Sequence, residues 1–237
     1  LRQVKKALKS FKKDFGFTPS GMWPSEGSVS EATADLLTQA GIQRITTDSN
    51  VLARSLSRSS EPSGLPPMQK YRPYINHTHH GPLTVYFRDQ ELSDLIGFRY
   101  AAMDPKEAVK DFIQYLEHVN NSLPDDGYPY VAVITMDGEN AWEYYEDNGK
   151  PFFDELYQNL SEKEWIETRT FEDYSEEYPA EAELQWLHPG SWINADYHIW
   201  IGLPEKNLAW DWLNDAINLV AQKKKRGDKI PKSVKNL

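Results

Sequence analysis

The chain alternates between short apolar runs and longer segments whose apolar residues recur at helical spacing. The apolar runs lie at residues 42–47, 83–87 and 131–136. Runs of this kind, bounded by polar residues, are typical of buried strands in parallel sheets. Helical spacing is seen at residues 1–14, 28–41, 50–56, 105–119, 149–160 and 207–223. Strands that alternate with helices in this way predict an α/β fold with parallel strands.

Several local patterns predict how single elements begin or pack. Ser28 and Glu31 have the spacing of a capping box. Residues 71–82 are interpreted as an aromatic, histidine-bearing loop, and residues 165–171 as a short strand. Helical periodicity is assigned to Leu92, Leu95, Ile96 and Phe98. In the last helix the residues expected to face inward are Leu208, Trp212, Leu213, Ile217 and Val220.

Length and composition narrow the possible functions. With 237 residues and only four or five β-units, the chain is predicted to form a partial barrel, since a complete eight-stranded α/β barrel takes about 250 residues. A formal net charge of −10 gives no electrostatic support to a nucleic-acid or anionic-membrane partner. The absence of cysteine excludes disulfides and thiolate catalysis. No run reaches the roughly 18 apolar residues of a membrane span.

The compartment is left open by the sequence. No secretory signal is visible, which slightly favours the cytoplasm. However, the chain begins at Leu1 rather than Met, so an excised piece is expected and a missing signal carries little weight.

Two carboxylates follow predicted strands and form the candidate catalytic pair. Asp137 comes directly after the run at residues 131–136, and Glu26 follows a short predicted strand near residue 21. The carboxyl ends of parallel strands meet at one edge of the sheet, where α/β folds carry their chemistry. A carboxylate and a carboxylic acid about 5–5.5 Å apart are what retaining glycoside hydrolysis requires. Singly, each residue is more simply explained as a helix cap or surface group; the pair favours a site.

Aromatic and polar residues near these strand ends are candidates for substrate binding. The chain has 8 tryptophans, and indole rings suit the apolar faces of sugars. Trp23, Trp142 and Trp192 are the candidate stacking residues, with burial in the core as the equal alternative. The other candidates are Arg88 and Asp89, interpreted as a strand-end ion pair, Glu139 beside Asp137, and His188 in the turn before Trp192.

Four ordered groups of residues carry a resemblance to glycoside hydrolase family 57. They are Trp23-Pro24-Ser25-Glu26-Gly27-Ser28-Val29-Ser30; Phe87-Arg88-Asp89 with Leu92-Ser93-Asp94-Leu95-Ile96-Gly97-Phe98; Asp137-Gly138-Glu139-Asn140-Ala141-Trp142-Glu143; and Gly190-Ser191-Trp192-Ile193 with Trp200-Ile201-Gly202 and Asn207-Leu208-Ala209-Trp210. The similarity runs over nearly the whole chain, and four linked motifs are far more specific than one. The resemblance is to the α-amylase, amylopullulanase and 4-α-glucanotransferase group.

The resemblance implies an incomplete (β/α)₇ barrel followed by helices, and a retaining mechanism on α-glucans without a cofactor or metal. By the same resemblance Glu26 is the nucleophile and Asp137 the general acid/base. The family's first strand ends in His-Gln-Pro, which has no match here, so the chain resembles the C-terminal part of the catalytic region, with the remainder expected before it. Residues 1–172 are expected to form the partial barrel with both carboxylates. Residues 173–237 are expected to form a loop and helical segment that packs on the barrel and adds aromatic residues to the cleft.

Two other interpretations remain open. His77, His79 and His80 suggest a metal-dependent hydrolase similar to polysaccharide deacetylases, in which a metal-bound water does the hydrolysis. The aromatic content also fits a non-catalytic glycan-binding segment. Within the enzyme interpretation, the sequence leaves open the choice between hydrolysis and transfer, the linkage and chain length preferred, and the oligomeric state.

Overall fold

The structure is a computed structural model that describes residues 1–57, 64–138, 142–231 and 234. These residues divide into two compact units, Leu1–Ala195 and Asp196–Leu237. The domain boundary expected after residue 172 stays a prediction, although the fifth strand of the sheet in the first unit lies beyond that residue.

The first unit is built on a five-stranded sheet. Its strands are β1 (Gly21–Met22), β2 (Arg44–Asp48), β3 (Tyr74–Thr78), β4 (Gly81–Arg88) and β5 (Ala182–Leu184), in the spatial order β1-β2-β4-β3-β5. Strands β1, β2 and β4 are parallel, whereas β3 is antiparallel to β4 and parallel to β5. In the register of β2 with β4, Asp48 lies opposite Arg88. This mainly parallel sheet confirms the predicted α/β class.

Helices flank the sheet in the first unit, and one long helix dominates the second. They are α1 (Arg2–Phe15), α2 (Glu31–Gln39), α3 (Ser49–Ser57), α4 (Pro67–Lys70), α5 (Gln90–Asp94), α6 (Pro105–Ser122), α7 (Lys150–Glu162), α8 (Phe171–Glu177) and α9 (Pro204–Lys225). A π-helical turn, Leu95–Arg99, continues α5 directly. Helix α6 begins where the helical spacing of residues 105–119 predicts it, and Asp104 caps it by accepting hydrogen bonds from the Lys106 and Glu107 amides.

Two large apolar cores and a smaller cluster of Tyr86, Val133 and Tyr174 stabilise the first unit. The first lies on the sheet and includes Val29, Leu37, Ile45, Leu83 and Val85. The second joins the α5 region to α6 and α7 and includes Leu92, Ile96, Tyr100, Phe112 and Phe152. Each fully buried side chain of this size contributes about 1.5–3 kcal/mol relative to exposure. The strand ends that carry the candidate chemistry are therefore anchored on both sides.

The run at residues 131–136 does not form the buried strand that was predicted. Within the described residues it makes a single parallel bridge, from Val133 to Arg88, and Ile134 is 36% exposed. The prediction was wrong because an apolar run indicates an extended, partly buried segment but does not supply the neighbouring strand with which a ladder would form.

Three further local predictions need correction. Residues 71–82 are not a loop, because residues 74–78 pair with β4 as strand β3 and Thr78 lies opposite Gly81 at the hairpin turn. The described residues 165–171 contain no strand, and Thr170 caps α8 instead. Helix α2 is capped by Ser30, which accepts from the Thr33 amide at 3.1 Å, rather than by Ser28. The serines are two positions apart, and Ser30 is the cap because the helix begins at Glu31, directly after it.

Helix α9 confirms the predicted helix but not its buried face. Trp212 and Ile217 are more than half exposed, and no residue of the helix is buried. Helical periodicity indicates that a face is apolar, but not that another surface covers it. Within the second unit, the indole of Trp210 donates a hydrogen bond to the carbonyl of Trp200 at 2.9 Å. Among the helices that the structure describes, none combines the length and apolar character needed to span a membrane.

Candidate active site

Glu26 lies on a tight turn immediately after β1. The turn is the 3₁₀ segment Ser25–Gly27, in which Glu26 has a left-handed backbone (φ 57°, ψ 25°). Few residues other than glycine adopt this conformation, and such strain concentrates at functional sites. Gly27 is also left-handed, and a Cβ there would lie 2.8 Å from the ring of Trp23. The turn is therefore specified by a glycine that packs against an indole, and it presents an exposed Glu26 side chain.

The loop at residues 190–195, at the C-terminal end of the first unit, binds the Glu26 carboxylate. Val29 and Gly190 form a two-bond antiparallel bridge, with N–O distances of 2.8 and 3.0 Å. A Cβ on Gly190 would lie 2.4 Å from the carbonyl oxygen of Ala195, so this loop conformation requires glycine at position 190. The Trp192 amide then donates to the Glu26 carbonyl at 3.1 Å, and its indole Nε1 donates to Glu26 Oε2 at 2.9 Å.

The Trp192 ring is in turn fixed by two neighbours. The Trp23 ring meets it edge-on, with 5.5 Å between centroids. The Arg88 guanidinium lies 5.0 Å from its ring centroid, a cation–π contact. Arg88 is buried and is itself held by Asp48, with Nε to Oδ2 at 2.7 Å, and by Asp94 at 3.2 Å. A chain of contacts thus runs from the ends of β2 and β4 to the Glu26 carboxylate.

Arg88 and Asp89 do not form the ion pair that was predicted from their adjacency. Successive side chains along a strand point to opposite faces of the sheet, so each finds its own partners. Asp89 is buried and accepts from the Tyr71 hydroxyl at 2.6 Å and from Lys70 Nζ at 3.0 Å. It also caps α5 through the Leu92 amide at 3.1 Å.

Burial raises the pKa of the Asp48 carboxyl above its ordinary value, against the opposing effect of the Arg88 guanidinium. Burial and the Asp89 carboxylate likewise raise the pKa of the Tyr71 hydroxyl. The hydroxyl of Tyr71 therefore remains a hydrogen-bond donor to Asp89 over the physiological pH range. Both groups act as structural supports beneath the strand ends.

The segment that carries Asp137 is attached to the end of β4 by backbone and side-chain hydrogen bonds. The Asp89 amide donates to the Val133 carbonyl at 2.7 Å. The Thr135 amide donates to Ser93 Oγ at 3.2 Å, and the same hydroxyl donates to the Asp89 carbonyl at 2.6 Å. Alternate residues of the segment are therefore fixed, and Asp137 follows two residues later, half-buried.

Glu26 and Asp137 line one cleft of about 340 Å³. Arg88 and Trp192, which were also predicted from the sequence, line the same cleft. Phe98, Ser93 and Asp94 are lining residues that the sequence analysis did not single out as site residues. Their position in the sequence could have identified them, because all three follow Asp89 within ten residues, on the helical segment that begins where β4 ends. A larger cavity of about 470 Å³, beside Lys70 and Arg99, contains neither carboxylate.

The other predicted site residues lie elsewhere. Trp142 packs in the second core, with its ring centroid 4.3 Å from that of Phe153. The His188 ring lies 2.9 Å from the Ala195 carbonyl and edge-on to Trp186, where it supports the loop rather than the cleft. Glu139 lies outside the described residues.

The histidines of the metal hypothesis do not converge. His77 pairs with Glu183, whereas His79 and His80 both contact Asp35. In the part of the chain that the structure describes, no three His, Asp or Glu side chains are grouped to hold a metal ion. These histidines lie at the hairpin turn, and seven residues of β4 separate that turn from Arg88, about 23 Å of extended strand.

Comparison with known proteins identifies the family of the chain. Residues 1–186 match the model of glycosyl hydrolase family 57. A search of curated protein sequences returns no match. The structure is similar to a 4-alpha-glucanotransferase from Thermococcus litoralis, with 25% identity, a TM-score of 0.62 and coverage of 79% of this chain and 27% of that one.

Two further solved structures show the same fold. A branching enzyme of family 57 from Thermococcus kodakaraensis has 16% identity and a TM-score of 0.65, with 89% of this chain and 50% of that chain covered. An alpha-amylase from Thermotoga maritima has 14% identity and a TM-score of 0.59, with 80% and 46% covered. The chain thus spans between about a quarter and a half of the length of these proteins.

Proposed function

Because the chain belongs to glycosyl hydrolase family 57, we propose that it carries the catalytic carboxylates of a retaining glycoside hydrolase or transglycosylase acting on α-glucans. Glu26 is the nucleophile and Asp137 the general acid/base. The observation that carries this proposal is that both carboxylates line a single cleft. The α-glucan substrate is supported by the names of the similar structures, a glucanotransferase, a branching enzyme and an amylase.

In the first step, the Glu26 carboxylate attacks the anomeric carbon of the bound sugar and forms a glycosyl ester. The Trp192 indole already donates to Glu26 Oε2, so Oε1 is the oxygen that attacks. Asp137 gives its proton to the departing glycosidic oxygen as the carbon–oxygen bond breaks. The step leaves a neutral ester on Glu26 and an ionised Asp137.

In the second step, Asp137 accepts a proton from a water or a sugar hydroxyl, whose oxygen attacks the anomeric carbon. The ester bond breaks, and the Glu26 carboxylate is regenerated. Two inversions at one carbon retain the anomeric configuration. Water as the attacking group gives hydrolysis, and a sugar hydroxyl gives transfer.

The proposal is tested by trapping the ester. A fluorinated α-glucosyl fluoride, which forms the glycosyl enzyme quickly but releases it slowly, should label Glu26 in peptide mass spectrometry. Maltooligosaccharides should yield products with retained anomeric configuration by NMR. Label on a different carboxylate, or inverted products, would refute these roles. Binding of oligosaccharide without turnover would favour a glycan-binding segment instead.

A further inference from the structure

Phe98 is an aromatic side chain that the described residues leave largely uncovered. It is 84% exposed, and no large hydrophobic side chain among the described residues is more exposed. An apolar ring held in water gives up the stabilisation that burial would provide. Phe98 also lines the cleft that contains Glu26 and Asp137, so its exposed ring lies within the candidate active site.

The backbone around Phe98 is rigidly held even though its ring is not packed. Ile96 and Tyr100, on either side of it, are 3% and 1% exposed in the second core. The Tyr145 hydroxyl donates to the Ile96 carbonyl at 2.5 Å. The intervening residues belong to the π-helical turn Leu95–Arg99, a rare structure that is frequent at functional sites. The turn thus presents the ring outward from a fixed base.

Space beside the ring is kept open by Gly97. A Cβ on Gly97 would have no heavy atom within 4 Å, and Gly97 lines the same cleft. An exposed ring next to a residue without a side chain forms a flat, accessible surface. Such a surface is suited to the C–H face of a pyranose ring, because the electron-rich face of an aromatic ring attracts weakly positive C–H groups.

The hydrogen bonds of the neighbouring helix relate this surface to Asp137. Ser93 lies two residues before the π-helical turn. Its hydroxyl accepts from the amide of Thr135, which is two residues before Asp137. The Glu26 carboxylate is instead held by the separate loop that carries Trp192. The general acid/base contacts the departing and incoming oxygens, so a platform attached to its segment belongs to the side of the leaving group and the acceptor.

We propose that Phe98 and Gly97 form a stacking platform for the glucose unit on the leaving-group and acceptor side of the cleft. This inference rests on the proposed function for the identity of the ligand. A platform that holds an acceptor sugar raises its local concentration relative to water. Phe98 then favours transfer over hydrolysis in the second step.

The first test measures binding without turnover. In a chain that carries Asp137→Asn, maltoheptaose is titrated by calorimetry. Adding Phe98→Ala should weaken binding roughly tenfold, the loss of one ring-stacking contact, and Phe98→Tyr should restore it. The matched control is Phe15→Ala, which removes a 65% exposed ring on α1 and should leave the affinity unchanged.

The second test measures partitioning with Asp137 intact. Phe98→Ala should lower the ratio of transfer to hydrolysis at a fixed concentration of acceptor glucose. If Phe98→Ala weakens binding but no variant turns over substrate, the platform stands and the proposed enzymatic function fails. Normal turnover with an affinity unchanged by Phe98→Ala would overturn the platform and leave the function intact. Failure of the Asp137→Asn chain to bind maltoheptaose, or an equal loss in the Phe15→Ala control, would also overturn it.

Discussion

The two ends of strand β4 carry charged groups in opposite settings. At the carboxyl end, Arg88 and Asp89 are 4% and 1% exposed, and each is paired with a buried or half-buried neighbour. At the hairpin end, the side chains of His79 and His80 are 93% and 39% exposed and share Asp35. The buried charges connect the end of β4 to the end of β2, to Lys70 of α4 and to the loop that carries Trp192. The exposed histidines connect the hairpin turn to Asp35 of α2.

This difference shows why a cluster of ionisable residues is a poor indicator of a site by itself. The histidines are close in sequence but pair with different surface carboxylates. By contrast, Glu26 and Trp192, which both line the cleft and share a hydrogen bond, are 166 positions apart. Burial and convergence on one cleft, rather than proximity in the chain, distinguish the two ends.

The largest expected effect is a difference in enzymatic activity between variants at the cleft and variants at the hairpin end of β4. Glu26→Gln and Asp137→Asn should each reduce turnover of maltooligosaccharides by at least about a thousandfold, because each removes a group that forms or breaks bonds. The double variant His79→Ala with His80→Ala should stay within about twofold of the parent rate, and chelators should have no effect. A large loss in the histidine variant would instead favour the metal hypothesis.

The next largest expected effect is a difference in the free energy of unfolding between variants at the two ends of β4. Arg88→Met leaves the Asp48 carboxylate buried without its guanidinium, and should lower the free energy of unfolding by about 3–5 kcal/mol. His77→Ala removes an exposed pair with Glu183 and should cost about 0–1 kcal/mol. Urea denaturation at neutral pH measures both. Equal losses in the two variants would contradict the comparison.

The Arg88→Met deficit should also depend on pH. Burial raises the pKa of Asp48 in the folded state, so on acidification the folded protein takes up this proton before the unfolded chain does. Stability contributed by that protonation therefore increases as the pH falls through the folded pKa, and it is fully present only below the lower pKa of the unfolded state. The deficit of Arg88→Met should shrink over this interval, because a neutral Asp48 no longer needs its partner.

Trp192→Phe tests the last contact in the series that runs from Asp48 and Arg88 through Trp192 to Glu26. The substitution keeps an aromatic ring over Arg88 but removes the N–H that donates to Glu26 Oε2. A hydrogen bond to a charged group contributes about 1.5–3 kcal/mol, so kcat should fall roughly 10- to 100-fold with a smaller change in KM. Trp186→Phe, outside the cleft lining, is the matched control. A raised KM with unchanged kcat would mean that Trp192 acts in sugar binding alone.

The smallest expected effect lies at the hairpin. The hydrogen bond from His80 is the largest cause that lowers the pKa of Asp35. His80→Ala should therefore raise the Asp35 pKa toward its ordinary value in a carboxyl NMR titration, with no measurable change in activity. In the parent protein, the lowered pKa of Asp35 adds to the free energy of unfolding, fully so above the unfolded-state pKa of Asp35 and not at all at strongly acidic pH. Any stability difference between the His80→Ala variant and the parent should therefore vanish at acidic pH.

Much of the local architecture could be predicted because it depends on neighbouring residues. The Asp104 cap and the apolar spacing that follows it specify α6. Strand β2 and most of β4 correspond to apolar runs. The failures occurred where two local patterns competed or where a partner was needed: Ser30 rather than Ser28 caps α2, and residues 131–136 lack a ladder.

The candidate site was predicted in part. Glu26 and Asp137 follow strand-like segments, and the resemblance to family 57 assigned their roles; the structure places both on one cleft. Trp142 and Trp192 looked equivalent in sequence, yet one ring packs in a core and the other binds Glu26. Phe98 shares a helical periodicity with Leu92 and Ile96, which are buried, yet its own ring is exposed, because helical periodicity does not register the extra residue of a π-helical turn.

The sequence by itself determined the α/β class, the family and the residue types available for chemistry, because propensity, periodicity and motif spacing are properties of nearby residues. Only the tertiary structure decided which partners the charges take and which aromatic rings face the cleft. Arg88 and Asp89 are adjacent in the chain but point to opposite faces of the sheet. Glu26 and Trp192 are distant in the chain but share a hydrogen bond, because β-bridging of Val29 to Gly190 brings their segments together.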